Sequence, residues 1–350
     1  QGSAPTPSKQ GAALFESQKE MQMIKMRKLV AAATATVSAV ALACTLAGCG
    51  GSADNNKAAS GEPVVIGTLA TEDILPMWVA EEEGIFADKG VDASVQTFQS
   101  ATELIAAVTS GDVDYAMTDP MVTASVYAGG TDVAVEWVTL GTTAEQGRFG
   151  IMTADKSIKS VEDLAGKEIG VGSNTILEYV MDTLMANAGI AEKDVKKSEL
   201  QKLPVRFEAM ASGQVPAAAL PASLLALGES KGFTVVADDT TGDNISQSVM
   251  IARKDVLDAE GGAATLEALK AAWDEAAGKI NADGDAYREL LASKANLSED
   301  LAKTYKVSEY PTCQLPTQEQ VDNVLNWMKK KGYLADGISY DAASGEFSGK

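Results

Sequence analysis

Short β-branched runs alternate with helical stretches along most of this chain, in two successive sets, and no other feature limits its fold as much. The first set reads as a strand at 63–68, a helix at 76–84, a strand at 91–95, a helix at 101–110, a strand at 115–117, a helix at 121–128 and a strand at 133–138. Within it, Leu104, Ile105 and Val108 share one helical face, and Gly111 stands just past the end. The second set has strands at 149–152, 169–171, 199–203, 217–220, 233–236 and 249–252, with helices at 176–188, 207–212 and from Ser223 to Gly228. Ser160-Val161-Glu162-Asp163 reads as a capping box opening a short helix. Beyond it the chain is helical, over 263–281, 285–295, 298–305 and 317–331, the last opened by a capping box of Thr317 and Gln320. Strands alternating with helices pair in parallel, so the class is α/β. Two such sets and a helical C-terminal region predict two lobes, and no repeat marks a solenoid.

Composition narrows the chemistry. The chain has 350 residues, with 29 basic and 49 acidic ones and a formal charge of −20. That balance argues against nucleic acid as a partner, since phosphate binding runs on basic patches. Histidine is absent, which removes Ser-His-Asp and Cys-His catalysis and His-ligated metals. Cys44, Cys49 and Cys313 lack the spacing of a zinc or redox motif. The reading is of a protein with no catalytic residues, no cofactor and no metal. Glu81-Glu82-Glu83 reads as a solvated helix face, with a metal site as the alternative. Gly170-Val171-Gly172 lacks the third glycine of a dinucleotide fingerprint, Thr175 standing in its place.

The N-terminus predicts export. Met26-Arg27-Lys28 precedes the uncharged stretch Leu29–Leu46, which ends in Leu46-Ala47-Gly48-Cys49. This resembles a bacterial lipoprotein signal, with residues 26–48 removed and Cys49 lipidated. The alternative is a transmembrane anchor, for which 18 uncharged residues rich in alanine and threonine are near the lower limit. Residues 1–25 precede any sensible signal start and are left out of the fold. Residues 49–62 read as a flexible tether. The expected location is outside the cytoplasm, held to the cell membrane by the lipid alone.

Four blocks, in order, carry a family resemblance. They are Val64–Thr68 followed by Leu75–Phe86; Gly90-Val91-Asp92 with Phe98–Glu103; Ser110–Asp119; and Ile158–Val171. Over roughly residues 63–335 the chain resembles ABC importer solute-binding proteins of the nitrate, sulfonate, taurine and thiamine-pyrimidine-precursor group. The resemblance implies a periplasmic-binding-protein type II fold with two hinge crossovers, near 140–149 and 245–249. Lobe one would be 63–143 plus 247–335, lobe two 144–246, and 336–350 a polar tail. It also implies a monomer that takes a small molecule by hinge closure and delivers it to an ABC permease and its ATPase.

Ligands of open α/β sheets bind outside the carboxyl ends of strands. Thr68, Thr71, Glu72 and Asp73 follow the first strand, Ser100 and Thr102 open a helix, Thr118 and Asp119 follow the Tyr115 strand, and Ser173, Asn174 and Thr175 precede the 176–188 helix. Each is a candidate ligand residue, and each residue type is also favoured as an ordinary cap. Trp78 and Tyr115 are candidates for stacking on a planar ligand or for core packing. Arg148, near a crossover, is a candidate partner for an anion or for Glu145. Among the candidate loops Glu72, Asp73 and Asp119 face only Arg148 as a cation. That balance favours a neutral or amine-bearing ligand such as an aminopyrimidine-type thiamine precursor. Sulfonate, nitrate or taurine binding is the alternative, as is a surface or sensory lipoprotein without transport.

Overall fold

The computed structural model describes residues 63–295 and 297–349. The 1–25 extension, the 26–48 signal segment, Cys49 and the 49–62 tether lie outside the described residues.

The described chain builds two sheets. In the first, β1 (Val64–Leu69) lies parallel between β2 (Ala93–Phe98) and β3 (Tyr115–Thr118). β4 (Val133–Leu140) belongs to the same sheet. In the second, β6 (Glu168–Val171) lies parallel between β7 (Lys196–Glu199) and β8 (Ala217–Pro221). β5 (Phe149–Thr153) runs antiparallel to both β8 and β9 (Thr234–Asp238). The chain then returns: β10 (Ser248–Arg253) inserts antiparallel between β3 and β4 of the first sheet. The two sheets are the centres of two lobes.

Helices pack where their apolar stripes point. In lobe one, α1 (Leu75–Glu82), α2 (Ile85–Asp88), α3 (Ala101–Ser110) and α4 (Pro120–Ala128) follow the early strands. α5 (Ile176–Asn187), α6 (Leu203–Ala211) and α7 (Ala222–Ser230) belong to lobe two. α8 (Lys254–Asp258), α9 (Gly262–Ala282), α10 (Arg288–Lys294), α11 (Glu299–Ala302) and α12 (Gln318–Lys331) form the helical C-terminal region. The Ser100 hydroxyl accepts from Glu103 N at 3.2 Å and so opens α3. Both halves of the Thr317/Gln320 capping box form, and three lysines occupy the last turn of α12, where they complement the helix dipole. Among the described residues no helix is long and apolar enough to cross a membrane.

One apolar cluster covers one face of the first sheet and continues into the second, joining Leu104, Val122 and Val324 of lobe one to Ile151, Val171 and Met181 of lobe two. Another packs α1, α9 and α10 against the opposite face of the first sheet, around Trp78, Trp137 and Trp273. The far face of the second sheet has its own small cluster around Phe207 and Met210.

Several local expectations are corrected. β7 ends at Glu199, so 200–202 is a loop, and α6 opens at Leu203 rather than Phe207. Near Ser160 only a 3-10 turn forms, Glu162–Leu164, without a side-chain N-cap; Asp163 accepts from Lys159 N and Ser160 N. The 298–305 helix is only α11. The stretch read as a polar tail forms a hairpin of β11 (Ser339–Asp341) and β12 (Glu346–Ser348), which joins β4 and buries Tyr340 and Phe347.

The chain passes between the sheets at 141–148 and returns at 239–247, and side chains tie the two passages together. Gly141 O accepts from Asn244 Nδ2 at 2.7 Å. Asp239 accepts from Phe149 N at 2.8 Å and from the Ser246 hydroxyl at 2.5 Å.

Candidate functional site

The lobes meet over a cavity of about 60 Å³. Lobe one supplies Leu69, Thr71, Asp73, Ala101, Leu104, Met117, Thr118, Asp119 and Ser248; lobe two supplies Phe149, Thr175, Ile176, Leu177, Gln201, Leu203, Arg206 and Pro221. Most of these residues stand at or just past the carboxyl ends of β1, β3, β6, β7 and β8, where parallel strands leave a crevice.

The two lobes also bond directly. Ile176 N of α5 donates to Asp119 Oδ2 at 3.0 Å, and Asn174 Nδ2 donates to Ser125 Oγ of α4 at 2.7 Å. Leu203 N donates to Gln99 O at 3.2 Å, and Lys202 pairs with Glu103 at 2.7 Å. Further out, Lys331 of α12 pairs with Asp182 and Glu192, and Trp327 meets the Tyr179 ring edge-on at 5.5 Å.

Of the residues singled out in sequence, Thr71, Asp73, Thr118, Asp119 and Thr175 line the cavity. Asp73 Oδ1 accepts from the Ser248 hydroxyl at 2.6 Å. Asp119 also accepts from Val122 N at 2.8 Å, and burial pushes its carboxyl up to about 6. Thr68 is buried outside the lining and bonds Leu69 O. Glu72 turns away from the cavity, accepting from the hydroxyls of Tyr305 and Ser308; burial, with Asp73 adding to it, pushes its carboxyl up to about 7. Ser100 is a buried cap and Thr102 is exposed. Ser173 bonds Glu199. Asn174 sits at φ 58, its Oδ1 buried with no donor.

Packing decides two of the open alternatives, and takes Trp78 and Arg148 out of the candidate set. Trp78 is fully buried in the lobe one core among the α1 and α9 residues, as is Tyr115, so neither ring reaches the cavity. Arg148 pairs with Asp238 at 2.7 Å and Glu229 at 3.0 Å, not with Glu145, on an open groove beside β9 that is separate from the cavity. Two carboxylates of its own lobe already hold it.

The cation at the cavity wall is Arg206, which the sequence reading passed over. Its guanidinium is 2% exposed and donates to Leu200 O at 2.8 Å, Ala219 O at 3.0 Å and Gln201 O at 3.3 Å, all neutral acceptors. Burial draws it down to about 10, and the charge of Glu199 opposes the fall only in part. Gly172 makes room for it, since a Cβ there would stand 2.7 Å from Arg206 Nη2. A signal was present. Leu203, Arg206, Phe207 and Met210 fall on one helical stripe, so an arginine stands where an apolar residue is the rule.

Two α/β lobes, joined by two passages and closed over a crevice at strand ends, define the periplasmic-binding-protein fold. Within it, the chain belongs to the NMT1/THI5-like family, whose model matches residues 71–279. No curated protein sequence matches the chain. Among solved structures, it is similar to the alkanesulfonate-binding protein SsuA from Xanthomonas axonopodis pv. citri bound to MOPS, with TM-score 0.68 and 16% identity over 79% of this chain and 96% of that one. The periplasmic aliphatic sulphonate binding protein SsuA from Escherichia coli gives TM-score 0.67 and 17% identity over 83% and 94%. The periplasmic nitrate-binding protein NrtA from Synechocystis PCC 6803 gives 0.65 and 14% over 80% and 84%.

Proposed function

We propose that this protein is the solute-capturing component of an ABC import system, working outside the cytoplasm. It closes its lobes over one small molecule, surrenders that molecule unchanged to a permease, and acts as a monomer. The observation that carries the reading is the cavity between the lobes, largely aliphatic but with two carboxylates, Asp73 and Asp119, in its wall. A buried carboxylate is tolerated when donors satisfy it. Such a wall favours a neutral or amine-bearing solute, an aminopyrimidine-type thiamine precursor among them. The second reading, a sulfonate, nitrate or taurine ligand, has one observation in its favour: Arg206, a buried charge whose hydrogen bonds all go to neutral carbonyls.

A thermal-shift screen of the protein against aminopyrimidines, amino acids, sulfonates and nitrate separates the two. Binding to the native state at a hundred times Kd adds about 2.7 kcal/mol of stability, so a true ligand shifts the melt by several degrees. The expected result is a shift with an amine-bearing ring compound. Shifts confined to sulfonates or nitrate would replace the first reading with the second.

The membrane attachment proposed from the sequence rests on Cys49. Mass spectrometry of the membrane fraction is expected to find Cys49 as a lipidated first residue, and Cys49→Ser to leave an unprocessed or unanchored chain. An unmodified Cys49 within an intact N-terminus would remove the lipoprotein reading.

A further inference from the structure

We propose that Asp119 is a specificity-determining residue of the cleft: its carboxylate takes the place that a ligand oxyanion would occupy at the start of α5, and so turns oxyanions away from that end of the cavity. The proposal rests on the reading of this cavity as the solute site.

A helix start carries unsatisfied N–H groups and a partial positive charge, and it draws anions. α5 has 12 residues and turns its first ones, Ile176 and Leu177, to the cavity. Its own N-cap leaves the end open. The Thr175 hydroxyl donates backwards to Gly172 O at 2.8 Å, and Thr175 makes no side-chain cap. The acceptor comes from the other lobe, where Asp119 Oδ2 receives Ile176 N at 3.0 Å.

The other oxygen of the same carboxylate receives Val122 N, the cap of its own helix α4. One buried charge thus terminates two helices, one from each lobe, and it is 6% exposed. Beside this contact, Asn174 reaches across to Ser125 of α4 from a left-handed backbone, at φ 58. Its Oδ1 is left buried without a donor. The end of the cavity therefore presents acceptors, the two carboxylates of Asp73 and Asp119. An oxyanion arriving there meets like charge, and the N–H it needs is already taken. A solute bearing N–H donors meets the reverse.

The test uses the full chain, with methanesulfonate as the probe. Asp119→Ser keeps a short side-chain oxygen for Val122 N, serine being a favoured cap, but withdraws the charge and the reach to Ile176. By titration calorimetry the wild type is expected to bind methanesulfonate at least roughly tenfold more weakly than Asp119→Ser, the size of one hydrogen bond to a charged group. The Ile176 amide resonance should move with methanesulfonate in the variant and stay still in the wild type. Asp119→Asn, isosteric and uncharged, is the second variant should serine impair folding, and it is expected to gain affinity in the same direction. A folded variant that gains nothing overturns the proposal, as does a wild type whose Ile176 amide moves on titration. Methanesulfonate binding to the wild type with an unmoved Ile176 amide would sink the amine-ligand reading above, and would still confirm that Asp119 keeps this seat.

Discussion

Gly141→Ala is expected to cost the protein more than ~3 kcal/mol of stability, and more than a methyl group added at a left-handed glycine that faces open space. Gly141 closes β4 where the chain leaves lobe one, and its φ is 97. An L side chain in that region costs about 1–3 kcal/mol in backbone strain alone. The added Cβ would also stand 2.1 Å from Ser246 O and 3.0 Å from Gln247 Cα. Both atoms belong to the returning passage, so relief requires separating the two connections between the lobes. Gly130→Ala is the control. Its φ is 99, yet a Cβ there meets nothing within 4 Å. Urea unfolding of both variants separates strain from collision. Equal losses in the two would show that the passages are not locked together at Gly141.

The second large effect is a loss of stability as the pH rises from about 5 to 8. Glu72 is pushed up to about 7, and Asp119 and Asp239 to about 6, in each case chiefly by burial. In the unfolded chain these groups return to their ordinary values of 4.5 and 3.8. The native state therefore holds protons more tightly than the unfolded one. This stabilisation is fully present below the unfolded values and is lost as the pH climbs through about 6 to 7. From below the unfolded values to above the folded ones this is on the order of 3 kcal/mol per group, about half of it already lost by pH 5 for the two aspartates and most of it still present there for Glu72. Exposed carboxylates held low by partners, such as Glu103 and Asp155, act in the opposite sense, and only below their own ordinary values. The optimum should fall in mild acid. Urea unfolding at pH 5, 6.5 and 8 measures it, and Glu72→Gln should flatten the upper part of the curve. A stability that is level or rising over that range would contradict the burial of these three groups as charges.

What could be read from the sequence follows from where local signals are written. α3 and α12 carry their own punctuation, Ser100 and Gly111 in one, Thr317 with Gln320 and Gly332 in the other, and both were legible to within a residue. β7 is Lys-Lys-Ser-Glu, an edge strand held by parallel pairing with β6, and no alternation marks it. Misplacing it moved the start of α6 past Arg206, so the buried arginine escaped notice. Trp78 was ambiguous for another reason. Leu75 to Ala80 are all buried, and a helix apolar all round does not say which side meets a ligand. Asp119 and Asp73 were found because the ends of parallel strands are predictable places. That Asp119 bonds the opposite lobe was not, since its partner Ile176 stands 57 residues away.

The two lobes also differ in when they can exist. The sheet of lobe two is made from one unbroken stretch, 149–238, whereas that of lobe one must await β10, which separates β3 from β4 in its middle. Its second core is likewise open until α9 arrives. For a chain that emerges N-terminus first, the earliest half to appear is the last to fold. β1, β2 and β3 can pair with one another early, but β4 and the inner edge of β3 stay unpaired, and available to chaperones or proteases, until β10 has been made.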